Sequence, residues 1–267
     1  MAATSRRRWP AHPLLVGALG ATLLGFLVLP LPFLQKLQAL AAGVCAQRPE
    51  HSYFMAGVQL PLEARMGGIF AGFLVGVLYL FWADRARAGL LPPPALQGLL
   101  LGFVVLLGLD GLNATLYDLG APHLYAPQNA LRLATGLLCG LAMALLAVPV
   151  LAAALWKDWD VEPSLARPGE LLGPLCVLGM IQATTMAGVP LLLMPIALVI
   201  VAGLLGAFTV GNTYALVLLT RREGRATSWR DALNPLLGGL LVAFYELVAL
   251  AALRAWAESA LGARWPV

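Results

Sequence analysis

The chain has little charge and few residues of the kinds that build reactive centres. Only 11% of its 267 residues are charged, whereas 60% are hydrophobic, and the mean hydropathy is +0.84. Such a composition leaves too little polar surface to cover a soluble globule, so we expect lipid to be the solvent. The three histidines, His12, His51 and His123, do not pair at helical spacing. They therefore indicate no metal site.

A basic chain with a net charge of +4 also raises the question of nucleic-acid binding. Here the basic residues are spread over short gaps between apolar stretches and form no continuous patch, so we expect no nucleic-acid partner. The sequence contains no nucleotide-binding loop, nucleophile elbow, haem-attachment motif or clear inverted repeat. We expect no cofactor, and catalytic activity stays an open question that leans towards none.

Apolar stretches fill almost the whole chain. A bilayer core of about 30 Å needs roughly 20 apolar helical residues. The sequence predicts an all-α, polytopic bundle forming one membrane domain over 1–267, with seven spans near 13–34, 67–83, 95–115, 129–156, 171–189, 191–219 and 236–256. The uncharged stretch between Leu171 and Thr220 would measure about 75 Å as one helix, so it must cross twice. Gly188, Pro190 and Pro195 supply the turn.

Arginines collect in alternate gaps, which predicts the orientation. One side carries Arg6, Arg7, Arg8, Arg85, Arg87, Lys157, Arg167, Arg221, Arg222, Arg225 and Arg230. The other side carries Lys36, Arg48, Arg65, Arg132, Arg254 and Arg264. Because cytoplasmic loops hold the Lys/Arg excess, we expect a cytoplasmic N-terminus, an exoplasmic C-terminus and a place in the inner (cytoplasmic) membrane.

The segment 35–66 is predicted to be the longest non-helical stretch and to lie outside, where loops often carry function. Its residues include Cys45, Pro49-Glu50, Ser52, Phe54, Gly57, Gln59-Leu60-Pro61, Ala64-Arg65, Gly68-Ile69 and Gly72. Further along come Asp110-Gly111, Leu131-Arg132, Thr135-Gly136 and Gly140. Together these residues resemble a family of uncharacterised bacterial and archaeal membrane proteins over about 45–140. The family pattern runs Cys-His, then Pro-Glu-Arg-Ser-Phe, then Cys-Ala-Arg-Cys-Thr-Gly-Ile-Tyr, and the resemblance implies no particular reaction.

This chain departs from the family pattern at the residues that would bind a metal. Where the pattern has its histidine, this chain has Ala46, and where the pattern has its two later cysteines, this chain has Glu63 and Met66. A Cys/His/Cys/Cys set would suit zinc or a thiol pair, whereas Cys45 with Glu63 and Met66 would suit only a softer ion such as copper, and poorly. We therefore predict a degenerate loop motif around Cys45, Glu63, Arg65 and Met66, without metal. Cys45, alone on its side of the membrane, is left as a free thiol or an intermolecular link.

Three charged residues fall inside predicted spans, where charge is expensive. Asp110 and Arg132 lie at similar depth on consecutive spans, which predicts an ion pair, read either as a structural staple or as a substrate-binding pair. Glu246 falls near the middle of the last span, at the depth of Gln182, and Asn212 is placed near them. This second group is read either as a proton or cation relay or as a neutral carboxyl hydrogen-bonded to an amide.

Glycines recur every fourth residue on two spans, which favours close helix packing. Gly68, Gly72 and Gly76 lie on the second span, and Gly136 and Gly140 lie on the fourth. They predict an internal packing face or a contact with another membrane subunit. The leading interpretation of function is a non-enzymatic accessory or assembly subunit of a membrane complex. The alternative is a small proton-coupled transporter that uses Glu246 and the Asp110/Arg132 pair.

Overall fold

The computed structural model describes residues 12–262 of the chain. Its helices are α1 (His12–Val28), α2 (Phe33–Ala41), α3 (Ala64–Trp82), α4 (Pro94–Asp118), α5 (Asn129–Leu155), α6 (Leu172–Ala187), α7 (Leu193–Leu219) and α8 (Trp229–Leu261). Within the described residues, six helices are long and apolar enough to cross a membrane, and a seventh span results if α1 and α2 count as one. The predicted all-α polytopic bundle is confirmed. Arg6, Arg7, Arg8 and Arg264 lie outside the described residues.

The helix pair α3 and α5 forms the centre of the bundle, and the predicted glycines are the reason. A Cβ atom at Gly72 would come within 2.1 Å of the Leu137 carbonyl oxygen, and one at Gly140 within 1.8 Å of the Ile69 carbonyl oxygen. Gly203 on α7 approaches the Phe70 carbonyl in the same way. Because only glycine permits such close approach, the glycine faces are occupied inside the chain. A surface for another subunit has to be sought elsewhere.

The first span ends earlier than the sequence predicted. Pro30 and Pro32 interrupt the helix after Val28, and the chain bends by 118° into α2. Since α2 is a helix and buries Leu37 and Leu40, the prediction that 35–66 is wholly non-helical was wrong. The segment also contains a short hairpin of β1 (Phe54–Met55) and β2 (Val58–Gln59).

The turn between the fifth and sixth predicted spans is confirmed. Gly188 ends α6 in the left-handed conformation at φ 62°, and a short 3-10 turn, Pro190–Leu192, leads into α7. The last helix, predicted over 236–256, is longer at both ends. At its start the Ser228 hydroxyl and the Asp231 carboxylate form a capping box, which begins α8 ahead of the apolar stretch.

The two ends of the bundle differ in how many Lys and Arg residues they hold. The arginine end holds the connections around 83–93, 156–171 and 220–228, where β3 (Ala88–Leu90) pairs in parallel with β4 (Asp160–Pro163) and Arg85 forms an ion pair with Glu170. The loop end holds the segments around 42–63, 119–128 and 188–192. Arg254 near the end of α8 donates hydrogen bonds to the carbonyls of Ala42, Cys45 and Ala46, which ties α8 to the loop end.

Candidate functional site

Polar and charged side chains concentrate at the loop end, where α3, α4 and α5 meet the segment 42–63. We call this group the loop-end cluster, and it consists of Arg48, His51, Glu63, Arg65, Asp110, Asn113, Tyr125, Asn129 and Arg132. Its members come from three helices and two loops. Contacts within the cluster therefore connect the two loops to the ends of the three helices.

Asp110 is the best-satisfied charge of the cluster, and its partner is Arg65. The carboxylate is 2% exposed, and its Oδ2 accepts from Arg65 Nη2 at 2.6 Å and from Arg65 Nε at 3.2 Å. Its Oδ1 accepts from the Tyr125 hydroxyl at 2.8 Å. The predicted Asp110–Arg132 ion pair is wrong, because the Asp110 carboxylate on α4 pairs instead with Arg65, in the first turn of α3. Gly111 leaves open the space beside the Arg65 guanidinium.

Two asparagines hold the loops on this charged centre. Asn113 Oδ1 accepts from the backbone N–H groups of Leu124 and Tyr125, and Asn113 Nδ2 donates to the Tyr125 carbonyl. This places the Tyr125 hydroxyl on Asp110, and burial and the Asp110 hydrogen bond raise the Tyr125 pKa. Asn129 Nδ2 donates to the carbonyls of Glu50 and Ser52. The segment 42–63 is thereby fixed to the start of α5.

Arg132 is buried, at 5% exposure, and within residues 12–262 no carboxylate lies within 4.0 Å of its guanidinium group. Among residues 12–262 its hydrogen-bond partner is Asn129 Oδ1, which accepts from Nη1 at 3.0 Å. The side chain therefore positions Asn129 and, through it, the loop. Arg132 therefore does not form the predicted pair with Asp110.

The residues of the degenerate loop motif do come together in part. The Cys45 sulfur accepts from the backbone N–H of Glu63 at 3.4 Å, and the thiol is 7% exposed, so burial raises its pKa. The Glu63 carboxylate accepts from the Arg48 backbone N–H at 2.9 Å and lies 3.6 Å from His51 Nδ1. Met66 packs against the apolar core. Within the described part of the chain, no group of three or more Cys, His, Asp or Glu side chains is arranged to hold a metal.

The second predicted group does not assemble. Gln182 Nε2 donates to the Ala130 carbonyl on α5 and to the Met186 sulfur, while Glu246 accepts from Asn212 Nδ2 at 2.7 Å. Gln182 thus bonds to α5 and to its own helix, whereas Glu246 bonds to α7. The predicted cluster of Gln182 with Glu246 is wrong, and the hydrogen bond between Asn212 and Glu246 is what the structure contains.

The Asn212–Glu246 pair faces outward. Glu246 is an exposed residue near the middle of α8, and the pair lies in a shallow depression lined also by Leu241, Val242 and Tyr245. Only Oε2 of the carboxyl accepts a hydrogen bond from a described residue. A polar pair therefore faces the apolar medium on the α7/α8 surface.

Sequence reasoning missed Arg65 as the partner of Asp110 and missed Tyr125 altogether. The depth argument that favoured Arg132 applies equally to Arg65, since both lie in the first turn of a helix at the loop end. Depth alone therefore did not distinguish Arg65 from Arg132 as the partner of Asp110. No sequence signal marks Tyr125, because its position depends on the conformation of the loop between α4 and α5.

The helices and their polarity define an integral, multi-pass membrane protein. Over residues 45–146, which include the loop-end cluster, the chain matches a family described as "Predicted membrane protein (DUF2085)". A search of curated proteins and of solved structures found no match. The chain is therefore similar in this region to an uncharacterised family of membrane proteins.

Proposed function

We propose that this multi-pass protein is a non-enzymatic accessory or assembly subunit of a membrane complex, and that a transmembrane helix of its partner covers the Asn212–Glu246 pair. The arginine excess at one end supports a cytoplasmic-membrane location with that end inside. The observation that carries the proposal is the outward-facing carboxyl of Glu246.

An acidic side chain in contact with lipid at mid-span costs about 2.5–3.5 kcal/mol on insertion scales. Asn212 satisfies one carboxyl oxygen of Glu246 and leaves the other without a donor from residues 12–262. A partner helix that presents a hydroxyl, amide or basic side chain would satisfy the second oxygen. Leu241, Val242 and Tyr245 would supply the apolar contact around it.

The transporter alternative loses much of its basis. It relied on a charged pair of Asp110 with Arg132, but Asp110 is saturated by Arg65 and Tyr125. Glu246 and Gln182 also do not join into a polar path. The loop-end cluster fixes loops on helices, and that arrangement supports a scaffold.

The test is photocrosslinking in membranes of the source organism. A photoreactive amino acid replaces Val242, which is 42% exposed beside Glu246, or Val105 of α4, which is 58% exposed and serves as the matched control. We expect one discrete adduct from position 242 and no protein adduct from position 105. The adduct should disappear with Glu246→Leu and persist with Glu246→Gln, whose amide oxygen still accepts from Asn212 and whose NH2 can donate to a hydroxyl or amide of the partner helix.

Two results would overturn the proposal. The first is an adduct of equal intensity in the Glu246→Leu variant, since the carboxyl would then play no part in the contact. The second is an adduct that contains two copies of this chain, which differently tagged copies would reveal. That outcome would make the face a homodimer contact and contradict the accessory role.

A further inference from the structure

The break between α1 and α2 carries a charged side chain into the apolar interior. Lys36, at the end of the first turn of α2, is only 6% exposed. Its Nζ donates to the Leu27 carbonyl at 2.6 Å, near the end of α1. Within residues 12–262 no carboxylate lies within 4.0 Å of this ammonium group.

Capping of α1 explains only part of this arrangement. The last carbonyls of a helix have no partner within it, and a cation is favoured there. The lysine ammonium, however, has three N–H donors, and Leu27 accepts one of them. A buried cation that is left without an anion is costly. The site therefore lacks a negatively charged acceptor.

Lys36 lines a cavity of about 670 Å³ between α1, α2 and α8. This volume lies within the range of small-ligand sites, roughly 300–1,000 Å³. The α1 wall combines the small residues Ala18, Ala21 and Gly25 with Phe26, and the α8 wall includes Phe244, Tyr245 and Val248. Among residues 12–262, no Asp or Glu lines the cavity. The lining thus combines one cation with a long apolar surface.

The walls of this cavity are fixed by contacts between helices. Phe26 and Phe244 meet edge to face with ring centroids 5.8 Å apart, and the Thr22 and Tyr245 hydroxyls lie 2.9 Å apart. Leu23, Leu24 and Leu27 on α1 are exposed, so this region borders the surrounding lipid. A ligand can enter from the bilayer without passing through water.

We infer that this cavity binds an anionic phospholipid, with its phosphate on Lys36 and an acyl chain along the wall of Phe26, Phe244 and Val248. The phosphate supplies the missing acceptors for the ammonium group. The apolar lining matches the chain, and the open side meets the medium that supplies the lipid. The charged group of this site is Lys36, not Glu246, although Tyr245 lines both this cavity and the α7/α8 depression.

The test is native mass spectrometry of the purified full chain in mild detergent, with equal amounts of phosphatidylglycerol and phosphatidylcholine. We expect preferential retention of phosphatidylglycerol. Lys36→Gln should lower that retention at least about fivefold, the effect of one lysine near an anionic lipid, while Lys36→Arg should keep it. Lys157→Gln is the matched control, because it removes the one other lysine, an exposed residue at the arginine end.

A second variant tests the acyl-chain wall without touching the charge. Gly25 has open space where a side chain would begin, so Gly25→Leu should fit, fill part of the cavity and lower retention. Gly102→Leu, with open space on α4 away from this cavity, is its control. Inorganic phosphate in excess should not displace the lipid. Displacement would show that the site binds phosphate without any contribution from the acyl chain. Equal retention of both lipids, or retention unchanged by both Lys36→Gln and Gly25→Leu, would overturn the inference.

Discussion

Two carboxylates inside the membrane domain have opposite surroundings. Asp110 lies on α4 and Glu246 on α8. The apolar stretches of these two helices are buried to the same extent, 17%. Asp110 nevertheless faces the bundle and is saturated by Arg65 and Tyr125, whereas Glu246 faces outward with one hydrogen bond from Asn212. The difference shows that a carboxylate can tie helices together in one place and, in the other, have one oxygen that accepts no hydrogen bond from residues 12–262.

The helices themselves divide in the same way. The apolar stretches of α3 and α5 are each 56% buried, and they carry the glycines that permit backbone contact between the two helices. On α4, Gly98, Gly102 and Gly108 have open space around them. Identical residues are therefore indispensable at the centre of the bundle and replaceable at its edge.

The largest expected effect concerns Asp110. Because its removal leaves Arg65 unpaired beside a buried site, Asp110→Ala should lower the free energy of unfolding in mild detergent by about 3–5 kcal/mol. Glu246→Ala should change it by less than about 0.5 kcal/mol in the isolated chain, as is usual for exposed positions.

A double-mutant cycle identifies the partner of Asp110. Asp110→Ala and Arg65→Ala should be strongly non-additive, whereas Asp110→Ala and Arg132→Ala should be closer to additive. Additivity with Arg65 and coupling with Arg132 would contradict the ion pair in the structure.

The next effect compares two glycines. Gly140→Ala forces a Cβ against the Ile69 backbone, which cannot move without separating α3 from α5, so we expect a loss of about 1–3 kcal/mol or more. Gly102→Ala has free space and should be neutral or stabilise slightly, since alanine favours a helix. Denaturant titration of both variants in the same detergent measures the difference, and equal stabilities would place the tight contact elsewhere.

The sequence was sufficient to predict most of the helices, because long apolar stretches can be located directly in the order of the residues. It also predicted close packing at Gly68 and Gly136. It failed at the α1/α2 break, where Pro30 and Pro32 end a span that hydropathy alone would continue. Hydropathy averages over a window, so it does not register a local loss of backbone hydrogen bonds.

The sequence placed Asn212 with Glu246, but it did not identify the partners of Asp110 and Gln182. Depth along a helix can be counted, whereas the direction in which a residue faces depends on how the helices rotate and pack. Glu246 and Gln182 lie at similar counted depths, yet they bond to α7 and α5 respectively. Lys36 shows the same limit, because its burial follows from the bend after Val28.

The smallest expected effect compares two histidines and depends on pH. His51 is buried in the loop-end cluster, and its pKa is lowered by burial and by repulsion from Arg132 and Arg48, against the attraction of Glu63 and Glu50. A lowered pKa in the folded chain means that the contribution to stability is present above the unfolded value of about 6.5 and is lost as the pH falls through the folded value. Between pH 7 and pH 5, stability should therefore decline by about 1 kcal/mol or less from this residue.

His51→Gln should flatten that decline, measured by thermal unfolding at each pH, whereas His123→Gln, at an exposed position in the loop between α4 and α5, should leave it unchanged. An equal slope in wild type and His51→Gln would show that the cluster does not disfavour the imidazolium, and the charges of Arg132 and Arg48 would then have to be screened from the ring.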